Sequence, residues 1–188
     1  IIINPWNIIV NKFPDLVVNK FLKKIIYQIM IFYQLLINAL IKMAQEYYEV
    51  KIIEQADDLF DELWNSTKTK FKNTNVRTSE VLNWYCSNNG VQNNILLGCY
   101  QNNKLLGYLL CTWEQETILK RITVVDFWGY MDDNQIVISL LKGLLKYGSE
   151  NNYDLVNLPA FHKSIKKFCK KYIIHRSCML MEYKAKKE

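Results

Sequence analysis

The sequence predicts an α/β domain, a mixed and mainly antiparallel sheet with helices on both faces, preceded by a helical linker. Three observations predict it. Apolar residues fill three strand-like runs, Asn94–Gln101, residues 104–117 and residues 119–128, whose connections are too short for anything but hairpins. Asn134–Glu150 then places Val137, Leu140, Leu141, Leu144 and Leu145 at helical spacing. A short apolar strand at 154–158, a basic helix at 162–172 and a final strand complete the order.

The elements before these runs follow from local signals. Residues 48–54 (YEVKIIE) alternate like a first strand. A helix over 56–70 carries the stripe Leu59, Phe60, Leu63 and Trp64. Asp57, Asp58, Asp61 and Glu62 crowd its first turns, where the macrodipole favours negative charge, so they read as helix-start residues rather than metal ligands. Thr78 or Ser79 caps the next helix, Val81, Leu82 and Tyr85 give it an apolar side, and Asn88-Asn89-Gly90 ends it. Asn102-Asn103 makes the following hairpin turn.

The chain of 188 residues, half of them hydrophobic, has room for one sizeable core and an appendage. Residues 1–46 are expected to be the linker and 47–188 the domain. The first residue is Ile, and the chain is expected to be a fragment of a longer protein. Residues 25–44 (IIYQIMIFYQLLINALIKMA) are long and apolar, with Lys20, Lys23 and Lys24 before them and Lys42 near their end. Three readings stand: a helix buried on a partner domain, an interfacial amphipathic helix in peripheral membrane contact, or a true span. Gln28, Gln34 and Asn38 weigh against the last, because amides are costly in lipid.

Cys86, Cys99, Cys111, Cys169 and Cys178 show no zinc-type spacing, and reduced, mostly buried thiols fit a cytoplasmic protein with no metal site. The net charge is +6, and residues 162–188 hold nine Lys or Arg against two Glu. Lys163, Lys166, Lys167, Lys170 and Lys171 follow helical spacing, so this excess reads as the solvated face of a helix or as a patch for an anionic partner.

The element order resembles the GNAT superfamily of N-acetyltransferases over about residues 48–187. VRTSEVLNWYCSN at 76–88 resembles the R-x-x-x-x-L-N-W-R-Y segment of the C-terminal unit in tandem GNAT-like proteins, through Arg77, Leu82, Asn83, Trp84 and Tyr85. The resemblance implies an acyl-CoA-dependent N-acyltransferase that uses acetyl-CoA or another acyl-CoA and acylates an amine. It also implies a GNAT-like unit upstream in the same protein. An alternative is a non-catalytic domain that shapes an acceptor site or interface for that unit. Transfer from aminoacyl-tRNA, as in Fem-like relatives, is a third reading, although nucleic acid is not the expected partner.

In the family the pyrophosphate sits on an R/Q-x-x-G-x-G/A loop at the start of the central helix, where glycines let backbone N–H groups approach it. The matching residues here are Asp132, Asp133, Asn134, Gln135, Ile136 and Val137, with Asp132 at the basic or amide position and Gln135 and Val137 at the small ones. Asn134, Gln135 and Val137, together with Phe127, Trp128 and Gly129 along the fourth strand, are the expected cofactor-binding residues. The family's Y-x-x-x-G-F acid falls on Phe168, which has no hydroxyl, with Tyr172 replacing the glycine. His162 and Asp126 are then the candidate catalytic residues, His162 because a histidine removes an ammonium proton near neutral pH. Each also has a structural reading, His162 as a helix-end residue and Asp126 as a hydrogen-bonded strand residue. Arg77, Asn83 and Trp84 are expected to contact the acceptor or partner.

Overall fold

The computed structural model describes residues 3–4, 24–29, 32, 35, 39, 48–70, 74–87, 94–116, 119–130 and 132–158. The expected basic helix, the final strand and most of the linker lie outside these residues. The described sheet has five strands in sequence order: β1 (Glu49–Ile53), β2 (Asn94–Gln101), β3 (Lys104–Glu116), β4 (Leu119–Gly129) and β5 (Leu155–Asn157). Neighbours are antiparallel from β1 to β4, and β5 runs parallel to β4. Helix α1 (Asp58–Thr67), with a 3-10 turn at Lys68–Lys70, and α2 (Ser79–Ser87) cover one face, while α3 (Asn134–Glu150) covers the other.

Capping side chains set where these elements begin. Asp57 accepts from the Leu59 amide and opens α1. Asp61, inside α1, accepts from both the amide (2.9 Å) and hydroxyl (2.6 Å) of Ser79, so one helix caps the next. Asn102 and Asn103 both take positive φ, 50° and 64°, as a two-residue hairpin loop requires.

The α3 face buries Val137, Leu140, Leu141, Leu144 and Leu145, as their spacing predicts, against Ile95, Leu97, Leu109, Cys111 and Ile122. On the α1/α2 face, Phe60, Leu63, Trp64 and Leu82 pack on Leu96, Tyr100, Tyr108, Leu110 and Trp128. The amino-terminal end also enters the core. Ile3 is 3% exposed, and its amide and that of Asn4 donate to the Asp154 carbonyl at 2.8 and 3.1 Å. Its Cδ1 lies where a Cβ on Gly148 would come within 2.5 Å, so a larger residue there would force Ile3 to shift. Residues 24–29, 32, 35 and 39 are helical, with Ile25, Tyr27, Ile29, Phe32 and Leu35 exposed. Among the described residues no helix is long and apolar enough to cross a membrane.

Burial makes the fold sensitive to alkali. It pushes the Cys99 thiol up to about 12, and the Tyr100 and Tyr153 phenols also up to about 12. The unfolded chain gives up these protons at about 8.5 for Cys and about 10 for Tyr, so there it holds fewer protons than the folded one. Stability therefore falls as pH rises from about 8.5 toward 12 and is flat just below that window. Denaturant midpoints at a series of pH values should show this fall, and a midpoint unchanged up to pH 11 would contradict the buried placement of these groups.

Candidate functional site

The site is built around an irregularity in β4. Leu110 pairs with Asp126 and Cys111 with Val124, so Val125 is an extra residue, a β-bulge. Side chains alternate along a strand, and one extra residue reverses which face the later ones meet. Ile122 and Val124 face α3 before the bulge. After it, Phe127 faces α3, while Asp126 and Trp128 turn toward α1 and α2. The bulge also sits where β4 and β5 part. Their pairing covers Arg121, Ile122 and Thr123 only, and beyond it no described strand lies on that side of β4.

On the α1/α2 side the bulge presents Asp126 to an arginine from the loop before α2. Arg77 Nε donates to Asp126 Oδ2 at 2.8 Å and Nη2 to Oδ1 at 3.0 Å, a bidentate pair. The Tyr108 hydroxyl donates to the same Oδ2 at 2.9 Å. The guanidinium also donates to Thr74 Oγ1 and the Asn75 carbonyl, and it lies over the Trp128 ring at 4.3 Å. Trp128 Nε1 in turn donates to Thr67 Oγ1 at 2.7 Å, which ties the end of α1 to β4. Burial pulls the Arg77 guanidinium down, but the Asp126 contacts outweigh it and leave it raised. Burial, followed by the Asp126 charge, pushes the Tyr108 phenol up.

Asp126, a candidate base from the sequence, thus has its carboxylate occupied by donors from its own chain. Through Arg77 it ties the loop over residues 74–78 to β4.

A short turn carries β4 into α3, with the Asp133 amide donating to the Tyr130 carbonyl at 3.1 Å. Asp133 caps the helix: Oδ1 accepts from the Gln135 amide at 2.7 Å, and Oδ2 accepts from the Tyr48 hydroxyl at 2.6 Å. That bond, followed by burial, pushes the Tyr48 phenol up to about 12. Asp132 pairs with Lys70 at 3.2 Å, both side chains largely in solvent. Val137 is 1% exposed and belongs to the core under α3, whereas Asn134 and Gln135 are exposed.

An acyl-CoA can be tested against this frame in two halves. Its pantetheine arm needs an open strand edge, and β4 beyond Thr123 supplies one among the described residues. Its diphosphate needs helix-start amides and positive charge. Here the amide of Gln135 is already bonded to a carboxylate, and a second carboxylate stands beside it. The first half fits and the second does not.

The remaining expected site residues separate. Phe127 is buried against α3. Gly129 pairs with Gly107 so closely that a Cβ on it would lie 2.6 Å from Gly107 Cα and 2.6 Å from the Leu106 carbonyl oxygen. Asn83 is engaged within the domain, its Oδ1 accepting from the Ala56 amide at 2.7 Å and its Nδ2 donating to the Ala56 carbonyl at 2.8 Å. Trp84 is exposed and packs edge-on against Tyr85. His162 lies outside the described residues. Sequence reasoning missed Tyr48, Tyr108 and Thr67, whose hydroxyls act through partners 61 to 85 positions away or, for Tyr108, on a neighbouring strand.

No protein-family model matches this chain, and no curated protein matches it by sequence. Solved structures do match its fold. A ribosomal-protein-alanine N-acetyltransferase from Brucella melitensis biovar Abortus 2308 superimposes with a TM-score of 0.52 at 16% identity, over 71% of this chain and 95% of that one. A predicted acetyltransferase from Clostridium acetobutylicum, solved with acetyl-CoA, gives 0.52 at 14% identity, over 72% and 94%. An aminoglycoside acetyltransferase from an uncultured soil metagenomic sample, in complex with sisomicin, gives 0.50 at 15% identity, over 71% and 97%. The chain therefore has the fold of the GNAT acetyltransferases.

Proposed function

We propose that the chain is an acyl-CoA-dependent N-acyltransferase domain that passes an acetyl or related acyl group to an amine. The observation that supports this best is the bulge at Val125, set where β4 leaves β5 and, among the described residues, no strand pairs the edge beyond it. A thioester arm laid along that edge brings its carbonyl to the bulge. The amine nitrogen attacks the carbonyl carbon, the C–N bond forms and the C–S bond breaks. The thiolate leaves and takes a proton while the ammonium loses one. Catalysis is then chiefly the positioning of two reactants. His162 is the proposed proton acceptor, and Arg77 and Asp126 hold the acceptor wall in place. Trp84 offers an exposed aromatic surface for the acceptor or an upstream unit.

A second reading is favoured by one observation, the carboxylate of Asp133 bonded to the Gln135 amide at the start of α3. It makes the chain a non-catalytic domain that forms the acceptor side for an upstream GNAT-like unit. The two readings part in a thiol-release assay with acetyl-CoA and a panel of diamines, lysine peptides and aminoglycosides. The acyltransferase reading expects amine-dependent release above hydrolysis, with masses showing one added acetyl group. Release that no amine accelerates would leave the second reading.

A further inference from the structure

The two halves of the donor site disagree, and the disagreement has a chemical consequence. The start of α3 carries its own anion. Asp133 is fixed at both oxygens, by the Gln135 amide at 2.7 Å and by the Tyr48 hydroxyl at 2.6 Å from the residue that leads into β1. The positive end of a helix stabilises one anion well, and a second beside it is repelled. Asp132 adds another carboxylate whose side chain is 90% exposed, with Lys70 already on it at 3.2 Å. Val137 is turned into the core, and the Gln135 amide is already bonded to Asp133, so the helix start is not the cradle of small residues and bare amides that a diphosphate needs. The edge of β4 beyond Thr123, which no described strand pairs, depends on none of these groups.

We propose that this site selects its acyl donor by the pantetheine thioester arm and not by the nucleotide diphosphate, so that acyl-pantetheine thioesters are donors as good as acyl-CoA. This rests on the acyltransferase reading and narrows it. The recognised chemistry is an amide-bearing extended arm that pairs with a strand edge and ends in a thioester. Whether that arm is carried on a nucleotide or on another phosphate ester makes little difference to binding. The built-in carboxylate of Asp133 takes the place a donor's diphosphate would occupy.

The experiment compares acetyl-CoA, acetyl-pantetheine and acetyl-phosphopantetheine as donors to the full chain. The expected kcat/KM values agree within about threefold, whereas a site that grips the diphosphate through charge-assisted bonds would favour acetyl-CoA by about a hundredfold or more. Asp133→Asn keeps a good helix cap but removes the charge. It should raise kcat/KM for acetyl-CoA by about threefold and leave that for acetyl-pantetheine unchanged, since only the former brings a diphosphate to that charge. Tyr48→Phe keeps the charge and should raise neither. A wild-type preference for acetyl-CoA above about a hundredfold, or a D133N effect equal for both donors, would overturn the proposal. If no donor supports transfer, the acyltransferase reading fails, and calorimetry with desulfo-CoA and pantetheine still decides donor recognition. Equal affinities uphold it, and binding of the nucleotide form alone overturns it.

Discussion

Replacing Gly129 with alanine is expected to destabilise the domain by about 2–4 kcal/mol, from overpacking against backbone and an unfavourable φ together. The new Cβ would lie 2.6 Å from Gly107 Cα and 2.6 Å from the Leu106 carbonyl oxygen, with φ at 157°. Neither neighbour is a side chain that can swing away. Both belong to β3, which is held to β2 on its other edge. Relief therefore requires parting β3 from β4 at the Gly107–Gly129 end of the sheet. Gly98→Ala is the control: its Cβ would meet only the ring of Tyr100, which has rotatable bonds to yield with. Thermal melts should show a drop of about 5–15 °C for G129A in a chain of this size. G98A should fall well short of that. Equal midpoints for G129A and wild type would mean that the Gly107–Gly129 approach is not as close as described.

Breaking the Arg77–Asp126 pair should cost about 2–4 kcal/mol, less than for a fully buried pair and more than for a surface one. The side chains are 16% and 26% exposed, which places them between those limits. Arg77→Met leaves a carboxylate with Tyr108 as its remaining side-chain donor and removes the cation from the Trp128 ring. Asp126→Leu leaves a guanidinium facing Tyr108 and Trp128. The double variant strands neither charge, so its loss should fall short of the two single losses added together by about 1–3 kcal/mol. Denaturant unfolding of the four proteins measures this coupling. Strict additivity would reduce the pair to a surface contact and remove the support it gives to the loop over 74–78.

Both residues of that pair were visible in the sequence, but their meeting was not. Asp126 stood out as a carboxylate in an apolar strand and Arg77 as the first residue of a spaced motif. They are 49 positions apart, and neither periodicity nor capping chemistry reports on such a distance. Local signals served better where local physics decides. Helix α3 spans Asn134–Glu150 as its spacing predicts, and the Asn102-Asn103 turn takes the positive φ values that asparagine tolerates.

The bulge left one trace. Strict alternation from Ile122 and Val124 would carry Asp126 into the core under α3. A carboxylate at a core position signals a slip in register, yet the run contains no glycine or proline to mark where it occurs. The helix start was legible to the residue, and its capping partner was not. Asp132 and Asp133 were both expected to open it, and Asp133 is the one whose side chain reaches the Gln135 amide.

The burial of Ile3 against Asp154 has a meaning in time. The two residues stand about 150 positions apart, and closing a loop of that length costs about 4 kcal/mol in chain entropy. At a synthesis rate of roughly 5–20 residues per second, Ile3 waits about ten to thirty seconds before its partner exists. The hairpins of β2, β3 and β4 are complete before then, so the sheet can assemble without Ile3. The notch above Gly148, in contrast, forms only with the end of α3. The first residues described can therefore dock only after the hairpins and α3 have been made.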